Sequence, residues 1–251
     1  MNKSTVKKIL SYIGAATIAA SPLAAQDKII IKDGAPVEGE ILSVDANGSV
    51  SIKMANGTLP FAKAKIEKVE LGVRPELAEG VAAVQQQDYA KAIATLKPLV
   101  DKFLGIDAEW VAEAAGDLAE SLAQTGKTYD AEQLGDKIIA AYPNSAYKYK
   151  GMIGKAYTLI VREKYDDALA LLKQADEALT PGLVPDRKIM DIMSDLNYVR
   201  GQAYEKKGDN ARALESYLKV VTLYYQPEKR AQQAQAKAND LRKKNPGLVI
   251  E

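Results

Sequence analysis

The order of apolar and polar positions divides the chain into stretches of different character. Residues 9–20 are apolar almost throughout. From 27 to 71, short β-branched runs are separated by Asp33-Gly34, Asn47-Gly48 and Asn56-Gly57, dipeptides that reach positive φ at little cost and mark hairpins. Val37, Ile41 and Val44 interleave with Glu38, Glu40 and Ser43, with Leu42 breaking strict alternation, and Val50, Ile52 and Met54 share one face. This predicts four or five antiparallel strands. So short a strand segment buries little surface, and closure into a small barrel would both enclose its core and remove its edges. From Pro75 onward glycine thins out, Ala and Leu dominate, and the apolar spacing turns to three and four. That switch predicts helices and puts a domain boundary near residues 71–75.

The helical part repeats. Gly80, Ala119, Ala156 and Gly201 each precede a second small residue by twelve positions, namely Ala92, Ala131, Ala168 and Ala213, with a turn about seven positions after the first. Two helices approach closely only where one offers Gly or Ala, and larger neighbours such as Leu172, Tyr204 and Tyr217 fill the grooves beside the contact. About four helix pairs are expected over residues 73–227. Residues 228–251 then read as a capping helix with Ala231, Ala234, Ala238 and Leu241 along one side, basic residues on a solvated face, and a stop at Asn245-Pro246-Gly247. Gly151 and Gly154, before Lys155, lack the spacing of a phosphate loop and read as small residues at a helix contact.

These units resemble the tetratricopeptide repeat family, and the chain resembles its members of the bacterial envelope. The likeness covers residues 75–227, with units 39, 37 and 45 residues apart where the family's are about 34. The strand segment resembles an SH3-like or Sm-like small β-barrel. Together the resemblances imply an α+β multidomain chain, with a small antiparallel β-barrel at 26–72 ahead of an all-α solenoid. The family's groove positions fall on Leu77, Val81 and Val84, then on Glu113, Glu120 and Gln124. In the later units they fall on Lys150, Ile153, Tyr157, Ile160, Tyr198, Gln202 and Glu205, which makes these seven the expected partner-binding groove. The Lys/Asn clamp with which some members grip a C-terminal carboxylate is not reproduced, because Leu77 and Val81 occupy its leading positions.

Composition narrows the chemistry. Among 251 residues there is neither cysteine nor histidine, so thiolate nucleophiles, Cys/His metal sites and imidazole-based triads are impossible. Carboxylate catalysis on wall glycan would need two acids held about 5 to 10 Å apart. Glu38 with Glu40, and Asp166 with Asp167, read instead as a solvated strand face and a helix first turn. Asp45, Asn47 and Gly48 lack the remaining calcium ligands and read as a hairpin turn. No catalytic residue, metal or cofactor is expected.

The first 25 residues hold Lys3, Lys7 and Lys8 and no acid, then the apolar run, Pro22, Ala24 and Ala25. This is the three-part form of a secretory signal with cleavage after Ala25. The apolar run is shorter than the roughly 20 residues a bilayer span needs. Without this segment the 34 basic residues become 31 against 33 acidic ones, too balanced for nucleic-acid binding. The expected protein is a non-enzymatic periplasmic adaptor that binds an envelope protein or peptide in the concave groove. Two alternatives remain: binding of wall or envelope material by the β module with the repeats as spacer or oligomeriser, and a carboxylate glycan hydrolase. Secretion or anchoring by an uncleaved signal is the alternative location.

Overall fold

The computed structural model describes residues 27–179, 186–225 and 228–248. The expected signal segment, 1–25, lies outside them. Five strands come first: β1 (Asp27–Ile31), β2 (Val37–Val44), β3 (Val50–Met54), β4 (Gly57–Phe61) and β5 (Ile66–Glu70). Their order in the sheet is β4-β3-β2-β1-β5, and every neighbouring pair is antiparallel. The expected closed barrel is therefore corrected: the sheet is open, with β4 and β5 as its edges. The physical reason lies in what covers the sheet. Its buried side chains Ile29, Ile41, Val50 and Ile52 join one apolar core with the helices, so ring closure is not needed to shelter them. Strand β4 is mostly exposed and carries Pro60, a residue without an N–H to offer a further strand. The irregular Leu42 has a cause too. The β2–β3 register shifts between Ile41 and Ser43, so Leu42 is taken up in a bulge.

Asp45 closes the β2–β3 turn as expected for a hairpin, its Oδ1 accepting from the backbone N–H of Asn47 and of Ser49, both at 2.8 Å. Where β1 begins, Asp27 is only 3% exposed. Its carboxylate accepts from Arg74 Nη2 at 2.6 Å, from Ile41 N at 2.8 Å and from Gly72 N at 2.9 Å. Burial works against this carboxylate, yet Arg74 and the two backbone donors hold it below its ordinary range. Arg74 in turn lies over the Phe103 ring, Phe103 meets Trp110 edge-on at 5.7 Å, and Trp110 Nε1 donates to Leu71 O. Sheet and helices are thus joined by a satisfied buried ion pair and an aromatic step.

Nine helices follow among the described residues: α1 (Pro75–Gln85), α2 (Tyr89–Phe103), α3 (Glu109–Gln124), α4 (Thr128–Ala141), α5 (Lys148–Val161), α6 (Tyr165–Leu179), α7 (Arg187–Lys207), α8 (Asn210–Thr222) and α9 (Glu228–Lys244). The first eight form four hairpin pairs. Helices α1, α3, α5 and α7 pack in sequence as an inner row, and α9 packs on α8 and α7. Ala92, Ala131, Ala168 and Ala213 are each fully buried, as their place in the repeat requires. The α4 and α5 backbones approach closely: a Cβ built on Gly151 would come within 2.5 Å of Gly135 O, and one on Gly135 within 2.9 Å of Gly151 O. Gly151 is thus the helix contact its sequence setting suggested.

The turns inside the pairs share one geometry. Gln87, Gly126, Glu163 and Gly208 each lie seven positions after the first small residue of their unit, and all have φ between 60° and 86°. The following N–H then bonds back five residues: Asp88 to Ala83 O, Lys127 to Leu122 O, Lys164 to Leu159 O, and Asp209 to Tyr204 O. This left-handed closure satisfies carbonyls that the helix end leaves free. Asp88 and Asp209 also cap the next helix, accepting from Lys91 N and Arg212 N at 3.1 Å.

Candidate partner-binding groove

Helical periodicity sets the lining of the inner row. Glu113, Asp117 and Glu120 are spaced by four and three along α3. Lys150, Ile153, Tyr157 and Ile160 run along α5, while Asp191, Asp195, Tyr198, Gln202 and Glu205 run along α7. Such spacings put each set on one stripe of its helix.

These stripes meet the first turn of α9. Lys229 Nζ donates to both Asp117 oxygens, at 2.7 and 2.9 Å. Arg230, 3% exposed, bridges two helices: Nη2 donates to Glu120 Oε2 at 3.0 Å and Nε to Asp195 Oδ1 at 2.7 Å. Its guanidinium lies 4.6 Å from the centre of the Tyr198 ring, within cation–π range. Lys150 donates to the second Asp195 oxygen. Farther along, Glu205 accepts from Tyr217 Oη at 2.7 Å and from Lys237 at 3.2 Å.

Electrostatics follow from this placement. Burial alone would raise the Asp195 carboxyl, but Lys150 and then Arg230 bring it well below the usual carboxylate range. For Lys150 the balance is the same in mirror image, since burial disfavours the ammonium and Asp195 more than restores it. Asp191 faces the opposite outcome. Burial pushes it up to about 6, Lys150 opposes this only partly, and Glu109 adds to the rise. Glu113 is raised as well, by burial and then by Asp117. A small cavity of about 80 Å³ lies beside these groups, lined among others by Glu113, Asp191 and Tyr147.

Of the seven groove residues expected from sequence, Lys150, Ile153, Tyr157, Ile160 and Tyr198 are buried, at 2 to 8% exposure, while Gln202 and Glu205 are half-buried. The structure does bring them together along α5 and α7, and α9 covers part of the strip. Tyr157 Oη, near Arg230 and Glu120, has no hydrogen-bond partner among the described residues. The earlier groove positions scatter more: Leu77, Val84 and Glu120 are buried, Val81 and Glu113 half-buried, and Gln124 exposed. Sequence reasoning missed Asp117, Asp191, Asp195, Lys229 and Arg230. One signal was available: Arg230 stands four residues before Ala234 on the stripe that continues to Ala238 and Leu241, all buried. An arginine there is a charge on an apolar face. Glu38 and Asp166 are engaged with Lys28 and Lys207, and no His, Cys, Asp or Glu group among the described residues could hold a metal ion.

Fold and groove define a helical-repeat protein whose inner row grips cationic side chains. Residues 77–146, which span nearly all of the first two helix pairs, match the tetratricopeptide repeat family. No curated protein matches the chain. Among solved structures, MamA of AMB-1 is 20% identical, covering 68% of this chain and 99% of its own, with a TM-score of 0.35. MamA of MSR-1 is also 20% identical, over 67% and 95%, with a TM-score of 0.32. A double mutant of MamA of RS-1 is 19% identical, over 69% and 98%, with a TM-score of 0.31. Among the described residues no helix is long and apolar enough to cross a membrane.

Proposed function

We propose that this chain is a non-enzymatic scaffold of the bacterial envelope that binds a protein or peptide along its inner helical row. The observation that carries the reading is the seating of Lys229 and Arg230, whose ion pairs with Asp117, Glu120 and Asp195 bring a helix turn onto the inner row. A surface that holds one helix turn by side-chain ion pairs suits reversible peptide binding. Lys150, Ile153, Tyr157, Ile160, Tyr198, Gln202 and Glu205 form the remainder of this proposed groove, with Gln202 and Glu205 at its accessible rim. Export fits the same picture. The sheet begins at Asp27, so cleavage after Ala25 would leave every described contact intact, and the mature chain would start at Gln26 in the periplasm.

The alternative, recognition of envelope material by the β module, draws on the β5 edge of the open sheet, which can accept an added strand. A photo-crosslinker placed singly in the full chain tests both, at Gln202 on the groove rim and at Lys68 on β5. Partner adducts at Gln202 support the groove, and adducts confined to Lys68 favour the sheet. An absence of protein adducts at both sites, in a chain that has reached the envelope, would sink the scaffold reading. Intact mass of the recovered protein shows in the same experiment whether residues 1–25 are removed.

A further inference from the structure

The first turn of α9 engages the array as a ligand does. Lys229 and Arg230 stand 112 and 110 positions from the α3 carboxylates they pair with. The apolar anchor of the helix behind them is slight: Ala234, Ala238 and Leu241 are its buried apolar side chains. Charge, more than apolar area, holds the turn in place. Lift it, and Asp117, Glu120 and Asp195, with Glu113 and Asp191 beside them, keep Lys150 on the strip, while Arg187 and Lys188 at the cavity wall are paired with Glu109 and Asp107. Even with the turn seated, Glu113 and Asp191 have no ion pair among the described residues, and both carboxyls are raised. Glu113 and Asp191 are thus carboxyls beside the seated turn that an added cation could pair with.

The geometry also states the shape of the occupant. Lys229 reaches α3, while its neighbour Arg230 spans from α3 to α7 and lies against Tyr198. Adjacent residues project about 100° apart on a helix but to opposite sides of a strand. A consecutive Lys-Arg pair can therefore grip these two helices together only from a helical segment.

Resting on the scaffold reading above, we propose that the Lys229–Arg230 turn is an intramolecular stand-in for the partner. The groove receives a helical segment of another protein that presents an adjacent Lys-Arg pair, and the first turn of α9 gives way to admit it. Exchange is close to balanced, because the incoming pair remakes the ion pairs that the outgoing pair loses. The turn thereby sets a threshold, reducing apparent affinity by the fraction of molecules in which it stays seated.

The test uses the full chain and a fluorescent peptide with the sequence of residues 228–244, together with a second peptide in which its Lys-Arg pair is replaced by Gln-Gln. Binding is read by anisotropy for wild type and for the Lys229→Gln/Arg230→Gln variant, whose folding is checked by circular dichroism. The variant is expected to bind the Lys-Arg peptide about tenfold more tightly than wild type, as removal of a competing closed state requires. The Gln-Gln peptide, or Asp117→Asn added to the variant, should lose about tenfold, and affinity should fall as salt rises. A folded variant that takes neither peptide, or both equally, overturns the proposal. If the variant does not fold, hydrogen exchange of wild type decides. Saturating Lys-Arg peptide should speed exchange at residues 229–232 and leave α8 unchanged, and no change there also overturns it. Loss of this proposal with partner adducts still forming at Gln202 leaves the scaffold reading standing, whereas loss of both removes the two together.

Discussion

Two of the four intra-pair turns carry a residue poorly suited to its backbone, and the protein should become more stable when it is exchanged for glycine. Gln87 and Glu163 both have φ of 60°, where Gly126 and Gly208 stand in the other two units at 76° and 86°. A side chain in the left-handed region costs about 1 kcal/mol or more. Replacing it by Gly removes that cost but frees the unfolded chain, returning about 0.4 to 1 kcal/mol. The net gain expected from Gln87→Gly or Glu163→Gly is therefore about 0.5 kcal/mol. Both side chains are exposed, and neither makes a hydrogen bond or ion pair among the described residues, so no contact is lost with them. The reverse changes isolate the same backbone cost, because a Cβ on Gly126 or Gly208 would meet nothing within 4 Å. Gly126→Ala and Gly208→Ala carry the same two terms with the signs exchanged and should each destabilise by about 0.5 kcal/mol, with no steric clash to blame. Equilibrium urea unfolding of the five chains, followed by far-ultraviolet circular dichroism, gives the ordering. With unchanged slope, a lower midpoint for both Gln87→Gly and Glu163→Gly, or an unaltered one for both alanine variants, refutes the shared-turn argument.

Three further outcomes are expected. Ala168→Leu and Ala213→Leu place extra volume at fully buried sites and should each cost about 1 to 3 kcal/mol, while Ala236→Leu on exposed α9 surface should cost little; thermal melts that move equally at all three sites would show the repeat frame to be wrong. Asp27→Ala strands Arg74 and the N–H groups of Ile41 and Gly72, so a loss of about 3 kcal/mol is expected, with hydrogen exchange at Ile41 rising first. Asp191 has its folded pKa raised to about 6 from 3.8, so the folded state binds its proton more readily and stability should rise as pH falls from about 7 to 5. Asp191→Asn should flatten that rise. Asp195 and Asp27 lie on the other side, held low when folded, and their contribution should be lost only as pH falls below about 4.

What could be read from the chain alone was whatever repeats locally. Small residues twelve apart and a turn seven after the first mark each helix pair, because close helix approach and left-handed turns are requirements of a few neighbouring residues. The hairpin dipeptides marked the β2–β3 and β3–β4 turns for the same reason. Leu42 showed as a broken alternation without revealing that a bulge absorbs it.

Long-range partners decided the rest. Whether five strands close depends on what covers them, and the helices that share their core follow in the chain with nothing in the strand pattern to announce them. The cost of burying a charge depends on its counter-charge, so Lys229 and Arg230 looked solvated in sequence, and only the fold brings Asp117, Glu120 and Asp195 around them. Tyr157 and Tyr198 were expected in a groove from their place in the repeat, and only the folded array shows them buried beside Arg230 of α9. Contacts separated by more than a hundred residues carry no local periodicity, which is why the seating of Lys229 and Arg230 belongs to the tertiary structure.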